Sequence, residues 1–126
     1  MRSYLPLLLL SGCAAADTAP GERREIVAAT PIGEPRTCIP LPIRESRVRS
    51  DQVIDFIDRT GGSYRVTLPQ PCPGLGFEQR FTYATSLNQL CAQDIITVLY
   101  QTGGPQRGVS CGLAPFVPVE LADRRR

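Results

Sequence analysis

Two alternating runs flank a glycine pair in the middle of the chain. In Val53–Asp58, "VIDFID", Ile54 and Phe56 share one face and Asp55 takes the other. In Ser63–Leu68, "SYRVTL", Tyr64, Val66 and Leu68 alternate with Arg65 and Thr67. A period of two is that of a half-buried strand. Gly61-Gly62 supplies a turn that needs no Cβ, so the pattern predicts a β-hairpin. Ile43–Ser50 predicts a further strand with a polar face, and Arg80–Ala84 another, with Phe81 and Tyr83 together. Asp94–Tyr100, "DIITVLY", is apolar on both faces and predicts a central strand. Leu113–Val119 predicts a closing edge strand, limited by Pro115 and Pro118, which cannot donate to a ladder. Pro69, Pro71 and Pro73 interrupt the pattern around Cys72. Leu87, Leu90 and Cys91 fall at helical spacing within Thr85–Gln93, and Gly103-Gly104-Pro105 starts a long loop. The sum is an all-β, mainly antiparallel domain: a small disulfide-stapled barrel or sandwich of five to six strands, with room for one short helical turn.

The N-terminus follows a different pattern. One arginine precedes the apolar run Leu5-Pro6-Leu7-Leu8-Leu9-Leu10, and small residues follow. That is the layout of a secretory signal, and the run is far shorter than the ~20 residues a membrane-spanning helix needs. Leu10-Ser11-Gly12-Cys13 resembles the bacterial lipobox at all four positions. The resemblance implies cleavage before Cys13, a lipid thioether on its thiol and acylation of its new amine. Two or three chains there would anchor the protein to a membrane, where one alone would be marginal. Ala14 follows, and in enterobacterial lipoproteins the absence of Asp at that position implies the outer membrane. The expected organisation is a leader over residues 1–12, lipidated Cys13 and a tether to residue 36, a four-cysteine domain over 37–121 and a basic tail over 122–126.

The cysteines left after Cys13 are Cys38, Cys72, Cys91 and Cys111. An even number in an exported chain reads as two disulfides. Zinc and thioredoxin-like sites want close pairs such as Cys-x-x-Cys, and there are none. Three pairings are open; the reading favours Cys72–Cys91 nested inside Cys38–Cys111.

Composition then removes chemistry. The chain holds no His and no Trp, and all 14 of its basic residues are arginine. Without His there is no Ser-His-Asp or Cys-His nucleophile system, and without Lys no Schiff base. No cofactor motif is present, and "TGGPQRG" lacks the lysine and helix signal of a phosphate loop. With 14 basic against 12 acidic residues, nothing marks a nucleic-acid surface. The candidate ligand contacts are Arg47, Arg49 and Arg65, which share a predicted sheet face suited to an anionic glycan or a partner carboxylate. Asp94, at the head of the apolar strand, is a candidate acid or base, or a cap on a turn.

From Cys38 onward the chain resembles a bacterial family of small exported proteins of unknown function. The resemblance runs through Cys38-Ile39, Ile43-Arg44, Val48, Ile54-x-Phe56, Tyr64, Leu68 and Cys72-Pro73-Gly74-Leu75. It continues through Phe81-x-Tyr83, Leu90-Cys91-x-x-Asp94-Ile95 and Cys111-Gly112-Leu113. It implies a four-cysteine export domain and carries no catalytic residue. The expectation is a lipid-anchored, non-catalytic envelope module that contacts a protein or the cell wall. The alternatives are an inhibitor of a lysozyme or protease, acting through the Gly61-Gly62 turn or the Gln101–Ser110 segment, and a hydrolase pairing Asp94 with Asp55 or Glu78.

Overall fold

A computed structural model describes residues 26–85, 87–101 and 106–123. The elements run β1 (Ala29–Pro31), β2 (Cys38–Pro40), β3 (Ile43–Val48), β4 (Val53–Asp58), β5 (Ser63–Thr67) and α1 (Leu75–Glu78). They continue with β6 (Phe81–Tyr83), β7 (Gln89–Cys91), β8 (Ile95–Tyr100), β9 (Gln106–Gly112) and β10 (Val117–Leu121). The fold is all-β and antiparallel, and it is not a closed barrel. One sheet has the order β1-β10-β5-β4-β3, a second β6-β8-β9, and β2 pairs with β7 alone.

The hairpin forms where the alternation predicts it. Ile54 lies opposite Val66 and Phe56 opposite Tyr64. These four side chains point into a core completed by Ile39, Leu68, Leu75, Leu90, Ile96, Val98 and Phe116. Phe56 sits at its centre, edge-on to Phe81 at 6.1 Å and to Phe116 at 5.7 Å, the geometry aromatic pairs prefer. The core therefore draws on both larger sheets and on the β2–β7 pair. Asp94–Tyr100 lies in the middle of its sheet as expected, with Ile96 and Val98 fully buried.

Several expectations are overturned. The disulfides are Cys38–Cys91 and Cys72–Cys111, which interleave along the chain; neither expected pairing, Cys38–Cys111 nor Cys72–Cys91, forms. Cys38 and Cys91 are directly opposite on β2 and β7, so strand pairing brings them together. The supposed helical residues Leu90 and Cys91 belong to β7, while Leu87 stays exposed. The one helical turn among the described residues is α1, after the proline run. Gln106–Ser110, read as loop, forms most of β9; residues 102–105 lie outside the described residues. Ten strands form among the described residues instead of five or six.

The domain also starts earlier than residue 37. β1 lies within the expected tether and pairs with β10, Ala29 opposite Leu121. That makes β10 an interior strand, with β5 on its other side. Pro118 is tolerated there because a residue's N–H and C=O point to the same side of a strand. The Pro118 carbonyl accepts from Ile32 N–H at 2.9 Å, so its missing donor faces the place where β1 ends. The lipidation site, the leader and residues 124–126 of the tail lie outside the described residues.

The two disulfides close separations of 53 and 39 residues, each worth about 4 kcal/mol on a chain-entropy estimate. Close packing appears again where Tyr100 crosses β9. A Cβ built on Gly108 would lie 2.6 Å from the Tyr100 ring, whereas one on Gly112 would meet nothing within 4 Å. Gly108→Ala is expected to cost about 1–3 kcal/mol in urea denaturation and Gly112→Ala to be near neutral. Equal midpoints for the two variants would contradict this packing.

Candidate functional site

Asp55 lies on the face of β4 opposite the core, in register between Arg47 on β3 and Arg65 on β5. Alternation alone would leave it in solvent, yet it is fully buried. Both carboxylate oxygens are taken. Arg65 Nε donates to Oδ1 at 2.8 Å and Arg65 Nη2 to Oδ2 at 2.9 Å, a two-pronged contact. Arg49 Nε donates to Oδ2 at 2.7 Å. Arg65 Nη2 also reaches the Val27 carbonyl at 2.7 Å, ahead of β1. Charge-assisted, bidentate contacts of this kind are the strong ones.

The network continues outward. Arg49 Nη2 lies 3.1 Å from Asp123 Oδ2, and Arg47 Nη1 3.5 Å from the same atom. Arg47 Nε also donates to Glu45 Oε2 at 2.6 Å. That hydrogen bond holds the Glu45 carboxyl below its ordinary range and the Arg47 guanidinium above its own. Asp123 follows β10, and β10 is separated from β3 by two strands, so the contact shows that the end of β10 folds over the outer face. Ile57 of β4 and Val119 and Leu121 of β10 are buried outside the main core cluster.

Arg47, Arg49 and Arg65 do share a face, as the sequence suggests. Their guanidinium groups are engaged, however, by Glu45, Asp55 and Asp123. Three cations meet three carboxylates, which leaves no net charge to attract an anionic glycan. In the structure these residues form an internal clamp that joins β3, β4, β5 and the end of β10. Asp94 lies apart from it, heading β8, with Oδ2 accepting the Cys91 N–H at 2.7 Å. Its carbonyl accepts from Leu113 N–H at 3.1 Å. That is a turn-holding role. Among the described residues, no three His, Cys, Asp or Glu side chains group as metal ligands, and no helix is long and apolar enough to cross a membrane.

The Gly61-Gly62 turn is built on Asp58. Its Oδ1 accepts from Thr60 N–H at 2.9 Å, Thr60 Oγ1 at 2.8 Å and Gly62 N–H at 3.0 Å. Gly61 has φ +98°, a conformation that favours glycine. Burial alone would raise the Asp58 carboxyl, but these donors outweigh it and hold the group below its ordinary value. Beside the turn, Arg36 stacks on Tyr64 at 5.6 Å and donates to its hydroxyl at 3.3 Å.

Two open grooves lie on the smaller sheet, and the sequence reading identified neither. One, of about 410 Å³, runs between Pro69, Pro71 and Pro73 and the β9 residues Val109, Ser110 and Gly112. The other, of about 240 Å³, is lined by Thr82, Tyr83, Ile95, Thr97 and Arg107. The proline run was a visible signal, but its neighbour β9 was read as loop. Burial raises the Tyr83 phenol above its ordinary range.

No family model, curated protein or solved structure matches the chain.

The Asp58 turn gives a pH prediction. Because the folded carboxyl is depressed, its stabilisation is full above the ordinary aspartate value of 3.8 and is lost as pH falls through the folded one. Asp58→Asn is expected to lower stability at neutral pH and to flatten its decline below about pH 4. Urea midpoints across that range check it; parallel pH profiles for the two proteins would contradict it.

Proposed function

We propose that this protein is a lipid-anchored component of a bacterial cell envelope that binds a partner and catalyses no reaction. The observation that carries the reading is the pair of interleaved disulfides in a chain whose expected leader runs into Leu10-Ser11-Gly12-Cys13. Structural disulfides belong to oxidising compartments, and the four-residue motif supplies both export and anchor. The side chains that most resemble catalytic groups support the same reading, since Asp55 is saturated by arginines and Asp94 holds a turn. In this account β1 shortens the spacer to residues 14–28. Fifteen residues reach at most about 50 Å, which would keep the domain near the membrane surface, on the periplasmic face of the outer membrane.

The stiff turn built on Asp58 supports a second reading, inhibition of a lysozyme or protease by insertion of that turn. Retained inhibition after substitution of Arg59 and Thr60 would oppose it, as would a lack of inhibition across a panel of such enzymes.

Expression of the full chain with labelled palmitate tests the anchor. The wild type is expected to carry label and to sediment with membranes, whereas Cys13→Ser is expected to lose both. A Cys13→Ser protein that is still processed and membrane-bound would overturn the anchor.

A further inference from the structure

β9 is the longest strand among the described residues and lies at the edge of the β6-β8-β9 sheet. Five of its seven residues are exposed. Among the described residues its backbone pairs only with β8, and the N–H and C=O groups of its other edge meet no backbone partner. Native proteins commonly protect such edges with proline, lysine or a covering loop. Here the strand carries no proline or lysine; a bulge opposite Val98 interrupts it once, between Arg107 and Ser110, and the neighbouring segment forms a wall, not a cover.

That wall is Pro69, Pro71 and Pro73, held across the 410 Å³ groove. It is firmly placed. Cys72 is bonded to Cys111 of β9 and its N–H donates to the Asp51 carbonyl at 2.7 Å. Because proline has no N–H, the three prolines have no donors with which to pair with β9 as a strand. The groove therefore has a hydrogen-bonding wall on one side and an apolar wall on the other, with Val109 exposed at its edge.

The charge around it is one-sided. No acidic side chain lines either groove, and Arg107 of β9 is exposed with no ionic partner among the described residues. Arg107 lies opposite Leu99, on the sheet face shared by Thr97 and Ser110, away from the core. A chain added beside β9 would point alternate side chains toward that face and toward the proline side.

We propose that the free edge of β9 takes an extended segment of a partner protein as a fourth strand, one that alternates acidic and apolar residues. Main-chain bonds to β9 supply affinity, the prolines and Val109 contact the apolar positions, and Arg107 selects the acidic ones. The inference rests on the binding part of the proposed function and not on its lipid anchor, so a test in the anchor-free chain separates the two.

The experiment is amide NMR of the full chain with Cys13→Ser, which takes no lipid, and with both disulfides intact, titrated with the blocked peptide Glu-Val-Glu-Val-Glu-Val. Shifts and slowed hydrogen exchange are expected at Gln106–Gly112 and not on β3, an edge strand of the larger sheet. The Lys-Val counterpart is expected to bind about five-fold more weakly, and Arg107→Glu to abolish or reverse that preference. Arg107 is exposed, so its replacement leaves the fold intact, and unchanged amide shifts elsewhere check this. Absence of perturbation at β9, equal perturbation of β3, or a preference indifferent to Arg107→Glu would each overturn the proposal.

Discussion

A carboxylate taken wholly out of water costs several kcal/mol unless its charge is met and its lone pairs are filled. Asp55 meets that condition through Arg65 and Arg49, which approach from opposite neighbours of β4. The position follows from strand register, because Arg47, Asp55 and Arg65 are aligned across three strands. A one-residue slip of β4 would put Asp55 into the apolar core and Ile54 or Phe56 among the arginines. The clamp therefore specifies register as well as adding attraction. It also gathers the ends of the domain, since Arg65 holds the Val27 carbonyl and Arg49 holds Asp123. The residue that follows β10 is thereby tied to the face that carries Asp55, and Ile57, Val119 and Leu121 are buried outside the main core cluster.

This division of labour determines which surfaces remain for partners. The larger sheet spends one face on the core and the other on its clamp. The smaller sheet spends one face on the core and leaves the other, with its β9 edge, in solvent. The disulfides follow the same division. Cys38–Cys91 reinforces a two-stranded pair that would be marginal alone, and Cys72–Cys111 fixes the proline wall to the exposed edge. A binding role sits more naturally on the smaller sheet than on the arginines, despite their prominence in the sequence.

What the sequence disclosed was local. The Val53–Leu68 hairpin and the apolar Asp94–Tyr100 strand depend on alternation and on a glycine turn, which are properties of neighbouring residues. What it concealed was long-range. β1 and β10 pair across about ninety positions, so a three-residue strand within a Pro- and Gly-containing stretch looked like tether. Cysteine pairing depends on which strands meet, and the β2–β7 register decides it. The helical spacing of Leu87, Leu90 and Cys91 was a coincidence of three positions, one of them exposed. Asp55 was placed on the correct face, but alternation could not show that this face is covered. The candidate arginines were thus placed on the correct face, and their pairing with Asp55, Glu45 and Asp123 was not legible.

A double-mutant cycle on Asp55 and Arg65 tests the clamp most directly. Urea unfolding would be measured for the wild type, Asp55→Ala, Arg65→Ala and the double variant, all with disulfides intact. The account predicts losses of about 3–5 kcal/mol for each single variant and a double variant well short of their sum, because Asp55→Ala leaves Arg49 and Arg65 without the carboxylate between them and Arg65→Ala leaves a buried carboxylate with Arg49 alone. Small, additive losses of about 0.5 kcal/mol, the behaviour of surface charges in water, would contradict it.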